Sequence, residues 1–494
     1  MHLTAVIPSE TTGLGSAVEG LLRSQWVQAS RRAFQTFASI AILLALASGV
    51  VAQAPPKPQP APAKTGQAES TEHHITPEEA KELLSTVDEV LDFDSRDTGL
   101  RIRHPVKRQL ADRDQVQKFI QARMMDDEDT QRLRHSEVVL KKMGLLPRDF
   151  DLEKFLVELL REQVAGYYDT KTKTVYLLDW LPPASQLPVM AHELTHALQD
   201  QNFGMEKWVE KGSSQKTPAE EARSDEQVAA RHAIIEGQAM AVMIDYLLAP
   251  TGNNIVNSPT IAEAIQQGMM EGEDSPVFNR APLFLKRVLL FPYSYGLDFE
   301  RALLAKGGKE KAFAGVFKSP PQNTRQVMEP ATYLASEKLP ELPVPDIAKL
   351  MGKDWEKYDV GSIGEFDVAV MSEIYGIDDP KTIYPHWRGG WYYAMKHKAS
   401  GELAVVTVTK WATEEAATSF RKACTANIPK RYKVTPGVPG GGAGGTPDGP
   451  GIVWTQWTTS DGPVALVRSG DMVISIESVP EELVAKVRDA VLVK

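Results

Sequence analysis

The pentapeptide His192-Glu193-Leu194-Thr195-His196 constrains this chain more than any other feature of its sequence. Its two histidines are four residues apart, so on an α-helix both imidazoles would lie on one face, one turn apart. Neutral imidazole nitrogens are preferred ligands of zinc, and a third protein ligand would leave one tetrahedral position open for water. Glu193 lies beside the first histidine, close enough to that position to act as a general base. The motif therefore predicts a helix with two metal ligands, His192 and His196, and a catalytic carboxylate.

The flanking residues indicate that this helix is buried. Val189-Met190-Ala191 precede the motif and Ala197-Leu198 follow it. Burying two unpaired histidines and a glutamate would be costly, and a bound metal ion would remove that cost. The alternative is a solvated helix that carries these residues by coincidence, which fits apolar flanks poorly.

A second predicted helix supplies the third ligand. Thr217-Pro218-Ala219-Glu220 has the pattern of a capping box with proline at the first helical position, and the pattern continues to Leu248, before Pro250. Apolar residues surround Glu236 on this helix, so its carboxylate is expected to be buried and to need a cation. His232, one turn earlier, is the alternative ligand, but that choice would leave Glu236 unexplained. The prediction is one zinc ion held by His192, His196 and Glu236.

Residues 192–200, HELTHALQD, resemble the zinc helix of the gluzincin metallopeptidases, and residues 236–239 resemble the Glu-Gly-x-Ala signature of one bacterial branch of them. Four more segments are similar to that branch: VAGYYD at 164–169, VYLL at 175–178, FPYSYG at 291–296 and PPQNTRQ at 320–326. The resemblance covers roughly residues 76–335. It implies a mainly helical zincin-like domain with a small sheet, a catalytic zinc ion, hydrolysis of peptide bonds and a glutamate ligand on a following helix.

The resemblance also raises the question of what orients the histidines. In several gluzincins an aspartate four residues after the glutamate ligand orients the first histidine, whereas this chain has Met240 there. Ligating imidazoles usually donate their free N–H to an acceptor, so Asp225 or Asp200 is expected to take that role. For both residues a surface salt bridge or a helix cap is the alternative.

Two tyrosines are candidates for the donor that would stabilise the developing oxyanion. Tyr293 and Tyr295 follow the mostly apolar run from Leu283 to Phe291 and are expected on a loop. We assign the role to Tyr295, and ordinary aromatic packing is the alternative for either tyrosine.

The N-terminal residues have the order of a secretory signal peptide. Arg31-Arg32 precede an apolar run from Phe37 to Ala52, and Ala52-Gln53-Ala54 provides small residues for cleavage. Residues 1–54 are therefore predicted to be a cleaved signal, through the general secretory or the twin-arginine route, with an uncleaved membrane anchor as the alternative. Residues 55–75 are rich in proline and alanine and are predicted to be a disordered linker. The protein is then expected to be periplasmic or extracellular, with no stable membrane span after signal removal.

Charge and cysteine content narrow the range of partners. The formal net charge is −10 and the chain has no basic patch interleaved with aromatics, so nucleic acid is not an expected partner. Cys424 is the only cysteine, which excludes an internal disulfide, and its apolar neighbours predict an inert thiol. The expected partner is a peptide or protein substrate.

The fold class is predicted to be α+β, in two domains after the linker, because so long a chain exceeds what one core usually holds. Residues 76–345 would form the zincin-like domain, with a strand over 99–108 interrupted by Pro105. A hairpin of residues 164–168 and 174–178 would precede the zinc helix; it is either an edge that pairs with extended substrate or an ordinary core hairpin. Residues 346–494 would form a small α+β accessory domain that binds substrate or envelope. Its predicted strands are 387–398, 403–411, 454–457, 464–468 and 472–476, its helices 413–428 and 480–492, and its flexible loop 436–451.

These features predict an exported zinc metallopeptidase in which Glu193 deprotonates the attacking water. The alternative from another functional class is a non-catalytic cell-envelope binding protein with a structural or vestigial zinc site. An enzyme that hydrolyses a non-peptide amide, such as a cell-wall crosslink, would use the same residues and differ only in substrate.

Overall fold

A computed structural model describes residues 74–124, 127–211, 217–271, 275–435 and 451–492. The predicted signal peptide, the linker up to residue 73 and the glycine-rich stretch 436–450 lie outside the described residues. The described chain is α+β, as predicted. Helices and a small sheet occupy the first part, and a larger sheet with flanking helices follows.

The first part of the chain is mostly helical. Its elements are α1 (Pro77–Ser85), α2 (Val87–Thr98), β1 (Lys107–Ala111), α3 (Arg113–Met124), α4 (Asp127–Lys142), α5 (Leu152–Gln163), β2 (Tyr167–Asp169), β3 (Thr174–Leu178), α6 (Pro183–Phe203), α7 (Met205–Glu210), α8 (Pro218–Leu248), α9 (Pro259–Glu271), α10 (Pro276–Asn279), α11 (Leu283–Glu310), a π-helical turn (Lys311–Gly315), α12 (Val316–Lys318), α13 (Thr324–Met328) and α14 (Pro330–Leu334).

The remaining elements build the larger sheet and its helices. They are α15 (Ile347–Met351), β4 (Trp355–Ser362), α16 (Glu365–Tyr375), β5 (Trp387–His397), β6 (Leu403–Trp411), α17 (Glu414–Arg431), β7 (Ile452–Thr459), β8 (Gly462–Ser469), β9 (Met472–Glu477) and α18 (Glu481–Leu492). The five strands and two helices predicted from residue 387 onward are confirmed. The prediction missed α15, β4 and α16.

Two sheets form within the described residues. The small sheet has the order β1-β3-β2, with β1 parallel to β3 and β2 antiparallel to it. The predicted hairpin of β2 and β3 is therefore confirmed, and β2 lies at one edge of the sheet. The larger sheet is antiparallel, in the order β4-β5-β6-β9-β8-β7.

The strand predicted over residues 99–108 is wrong for all but its last two residues. Gly99 ends α2 in the left-handed conformation (φ 73°), which glycine adopts without steric cost. Proline has no N–H to donate to a strand ladder, and the ladder with β3 begins only after Pro105, at Lys107.

Helix α8 is one continuous helix of 31 residues, as its start and stop signals predicted. Thr217 accepts from the N–H of Glu220, and the Glu220 side chain accepts from the N–H of Thr217, so the capping box is confirmed. Among the described residues, the stretch Pro218–Thr251 alone is long and apolar enough to cross a membrane, but 78% of its most apolar window is buried inside the fold. In this structure α8 is a core helix.

The PPQNTRQ segment joins the two parts of the chain. Thr324 donates its N–H and hydroxyl to Glu226 of α8, at 2.9 and 2.8 Å. The guanidinium of Arg325 donates to Glu365 of α16 at 2.8 Å. A second contact between the two parts comes from α11, where Phe291 packs on Phe366 with ring centroids 4.4 Å apart. The boundary predicted near residue 345 stays a prediction, and the two segments share a continuous apolar core across it.

Two glycines allow α8 and α11 to pack in backbone contact. A Cβ added to Gly237 would lie 2.2 Å from the backbone of Gly296, and one added to Gly296 would lie 2.2 Å from the carbonyl oxygen of Ala233. Both glycines come from segments that resemble the gluzincin branch. Their close approach fixes the position of Glu236 relative to α11.

We therefore expect Gly237→Ala to destabilise the fold by about 1–3 kcal/mol, because the new methyl group has only backbone to displace. The matched control is Gly268→Ala on α9, where a Cβ meets no atom within 4 Å and the loss of backbone entropy in the unfolded chain should stabilise by about 0.4–1 kcal/mol. Thermal unfolding in the presence of a chelator measures both. Equal shifts of Tm in the two variants would contradict this packing.

Candidate metal centre

The structure brings His192, His196 and Glu236 together from two helices. The first two lie one turn apart on α6, and Glu236 lies on α8, which packs across it. All three are buried, with exposed fractions of 0%, 6% and 1%. A ligand atom from each lies within 4.8 Å of the other two. Within the described chain no other trio of histidine, cysteine or acidic residues meets that criterion.

The distances within this group fit a metal ion. The two Nε2 atoms are 3.1 Å apart, and Oε2 of Glu236 lies 3.3 Å from Nε2 of His192 and 3.5 Å from Nε2 of His196. Ligands bound tetrahedrally at 2.0–2.1 Å would be about 3.3 Å apart. Among the residues that the structure describes, none donates a hydrogen bond to Oε2 of Glu236, although this atom is buried. The three residues can therefore hold a metal ion.

Glu193 lies next to this group and is held by the small sheet. It is 3% exposed, and its Oε2 accepts a hydrogen bond of 2.8 Å from the backbone N–H of Tyr168 in β2. Burial raises the pKa of Glu193, and the neighbouring His196 and His192 oppose that rise in part. A carboxylate with a raised pKa is suited to accept and return a proton.

Gly166 of the VAGYYD segment makes the contact between Tyr168 and Glu193 possible. A Cβ on Gly166 would lie 3.0 Å from Cγ1 of Val189 on α6 and 3.3 Å from the carbonyl oxygen of Tyr176. Because glycine occupies this position, β2 can approach the helix closely enough for Tyr168 to reach Glu193.

The imidazole N–H partners differ from the prediction. Nδ1 of His196 faces Oε1 of Gln199 at 2.9 Å, and Nδ1 of His192 has no hydrogen-bond partner within the described part of the chain. The assignment of this role to Asp225 or Asp200 is therefore wrong. No pattern in the sequence indicates this role for Gln199, although it lies within the HELTHALQD segment.

Each aspartate is engaged elsewhere. Asp225 lies eleven residues before Glu236, which is about 16 Å along a helix, and it accepts from the N–H of Ser362 in the larger sheet. Asp200 accepts from the hydroxyl of Tyr168 at 3.0 Å and pairs with Nζ of Lys173 at 2.5 Å. The alternative of a salt bridge holds for Asp200.

The two candidate tyrosines are not on a loop, and Tyr293 rather than Tyr295 lies beside His192. Both lie inside α11, which continues through Pro292. Residues two apart on a helix face nearly opposite sides. The ring of Tyr293 is fully buried, with its centroid 6.3 Å from that of His192. Tyr295 instead packs against Phe291 and Phe366, with centroids 5.5 and 6.5 Å away.

His232 is half-buried on α8 and does not belong to the group of three. The group therefore agrees with the predicted ligand set, Glu236 included. Comparison with protein-family models, with curated proteins and with solved structures finds no match to this chain.

Protons and a metal ion should compete for these ligands. Burial alone would lower the pKa of His196, but the adjacent carboxylate of Glu236 raises it to about 9. Burial would raise the pKa of Glu236, but the close approach of His196 and His192 lowers it. In the metal-free protein at pH 7, His196 therefore carries a proton that a metal ion must displace.

We accordingly expect the affinity for a divalent cation to rise about tenfold per pH unit between pH 7 and 9, because each ion releases one proton. The affinity should level off above about pH 9. Calorimetric titration in two buffers of different ionisation enthalpy counts the protons released. An affinity that is constant over this range, with no proton released, would contradict the assignment.

Proposed function

We propose that this protein is an exported zinc-dependent metallopeptidase of the gluzincin type. The observation that carries the proposal is the convergence of His192, His196 and Glu236 beside the buried carboxylate of Glu193. The resemblance of the HELTHALQD and EGQA segments to gluzincins supports the same conclusion. Export depends on residues 1–54 alone, which lie outside the described residues.

The ligand set favours zinc. Two imidazoles and one carboxylate are a frequent set for catalytic zinc, whereas structural zinc sites usually have four ligands and favour cysteine. Cys424 lies on α17, and burial raises the pKa of its thiol to about 12, so it is a poor metal ligand. A three-ligand site leaves one position for a reactant.

The residues around the centre would divide the work of hydrolysis. A zinc ion, when bound, polarises a carbonyl and lowers the pKa of water. Glu193 would take a proton from the attacking water and pass it to the leaving amine. The N–H of Tyr168 would hold the Glu193 carboxylate in place. Tyr293, the tyrosine beside His192, is the better-placed donor for the developing oxyanion.

The edge of the small sheet offers a place for an extended substrate. β2 pairs with β3 on one side, and the Tyr168 N–H points away from β3 toward Glu193. Once the surrounding elements open, a peptide added along this other side of β2 would run past the catalytic carboxylate. This arrangement favours a peptide as substrate over a compact small molecule.

The burial of the centre favours the alternative of a non-catalytic protein with a structural or vestigial zinc site. The three ligands and Glu193 are at most 6% exposed, so a catalytic role requires the surrounding elements to open for substrate. Equimolar zinc together with chelator-sensitive cleavage of an unfolded protein would establish catalysis. Zinc without cleavage of peptides or of cell-wall amides would favour the alternative.

The central prediction concerns Glu193→Gln. This variant should keep one zinc ion per chain and lose hydrolysis by at least about 10³-fold, because an amide cannot accept the proton of water. Elemental analysis and proteomic cleavage-site profiling with the mature protein measure both properties. The control variant His196→Ala should lose the metal and the activity together. Full activity of Glu193→Gln would rule out its role as the base.

The two tyrosines provide a matched pair. Tyr293→Phe should lower kcat by about 10²-fold with little change in KM, because an oxyanion donor acts in the transition state. Tyr295→Phe should leave both constants near the wild-type values, since its ring packs away from the histidines. Steady-state kinetics on a peptide found by the profiling measures the difference. A normal kcat for Tyr293→Phe would remove Tyr293 from the mechanism.

A further inference from the structure

Two buried glutamines connect the metal centre to a distant turn of the backbone. Gln199 lies on α6 and Gln238 on α8, and both side chains are 0% exposed. Nε2 of Gln199 donates to Oε1 of Gln238 at 2.9 Å. Gln238 in turn reaches the π-helical turn Lys311–Gly315, far from the histidines in sequence. We call these two side chains the amide relay.

Backbone carbonyl groups set the orientation of the Gln238 amide. Nε2 of Gln238 donates to the carbonyl oxygens of Ala312 and Phe313, at 2.9 and 3.2 Å. A carbonyl oxygen can only accept, so a flipped Gln238 amide would place its own oxygen against two acceptors. Oε1 of Gln238 must therefore face Gln199.

The orientation of the Gln199 amide follows from that of Gln238. Gln199 has two N–H bonds on Nε2, and it donates them to Oε1 of Gln238 and to the carbonyl oxygen of Ile235, the latter at 3.0 Å. Both of its acceptors are fixed, so Gln199 cannot flip either. Its Oε1 is left facing Nδ1 of His196 at 2.9 Å. This oxygen accepts only, and Nδ1 of His196 must carry the hydrogen.

We propose that the amide relay is a positioning device for the metal ligand: it fixes His196 in the tautomer whose Nε2 lone pair faces the metal, and so sets the affinity of the site. The relay takes the place of the carboxylate that often orients a ligating histidine. A neutral amide leaves the charge of the centre unchanged. The inference rests on the metal centre of the proposed function and not on peptide hydrolysis.

Three glutamine-to-methionine variants test the relay, since methionine has a similar volume and cannot accept or donate a strong hydrogen bond. Gln199→Met removes the acceptor of His196, whereas Gln238→Met leaves that acceptor in place and removes one of the two groups that orient Gln199. The control is Gln186→Met, because Gln186 is equally buried on α6 but bonds the backbone of Leu178 and Leu181. Its loss should weaken the fold without changing the metal ligands.

The measurement is the zinc dissociation constant, obtained by competition with a chromophoric chelator, on full mature protein shown to be folded by circular dichroism. Gln199→Met and Gln238→Met should each bind zinc about 10–100-fold more weakly than wild type. Gln186→Met should bind zinc as wild type does. Because Gln238 acts through Gln199, the double variant should bind no more weakly than Gln199→Met alone.

The outcomes separate the relay from the proposed function. Wild-type zinc affinity in folded Gln199→Met or in folded Gln238→Met would overturn the relay while leaving the metallopeptidase proposal intact. Additive losses in the double variant would also overturn it, because the two glutamines would then act independently. A wild-type chain that binds no zinc would overturn both. A wild-type chain that binds zinc but cleaves nothing would overturn only the peptidase.

Discussion

Three atoms that can each bind a metal ion face one point in the interior of this protein. Two imidazole nitrogens and a carboxylate oxygen lie 3.1–3.5 Å from each other in a group shielded from water. In a medium of low polarity such an arrangement is unfavourable unless a cation occupies the point or protons are taken up. The raised pKa of His196 and the lowered pKa of Glu236 follow from this arrangement.

The surrounding elements can be understood as the means of holding that arrangement. The Gly237–Gly296 contact brings α8 against α11, and the glycine at 166 brings β2 against α6. A side chain at Gly237 would push α8, which carries Glu236, away from α11. A side chain at Gly166 would push the Tyr168 N–H away from α6 and Glu193. The segments VAGYYD, HELTHALQD, EGQA and FPYSYG thus meet around one centre, although they are spread over more than a hundred residues. PPQNTRQ is different, because it joins the first part of the chain to the second.

The sequence was informative where a local rule decides the structure. The spacing of His192 and His196, the capping box at Thr217 and the alternation of the C-terminal strands depend on neighbours along the chain, and these elements lie where they were predicted. Glu236 was found because an acidic residue among apolar neighbours needs a partner. Residues 99–106 alternate like a strand, but the lack of an N–H at Pro105 and the turn at Gly99 outweigh that pattern.

The parts that could not be predicted depend on how helices meet. Gln199 resembles any glutamine on a helix until α8 places Gln238 and the Ile235 carbonyl beside it. Asp225 lies on the same helix as Glu236, but a helix of 31 residues contacts several different elements along its length. Tyr293 and Tyr295 could be ranked only after α11 was seen to continue through Pro292, which put the two rings on opposite faces.

The most direct test of the account is X-ray absorption at the zinc edge on the purified mature protein, combined with its zinc content. The account predicts one zinc ion per chain, nitrogen and oxygen neighbours at about 2.0–2.1 Å, the outer-shell scattering of two imidazole rings, and no sulfur. A protein that retains no zinc when supplied with it, or whose zinc has a sulfur neighbour or a single imidazole, would contradict it.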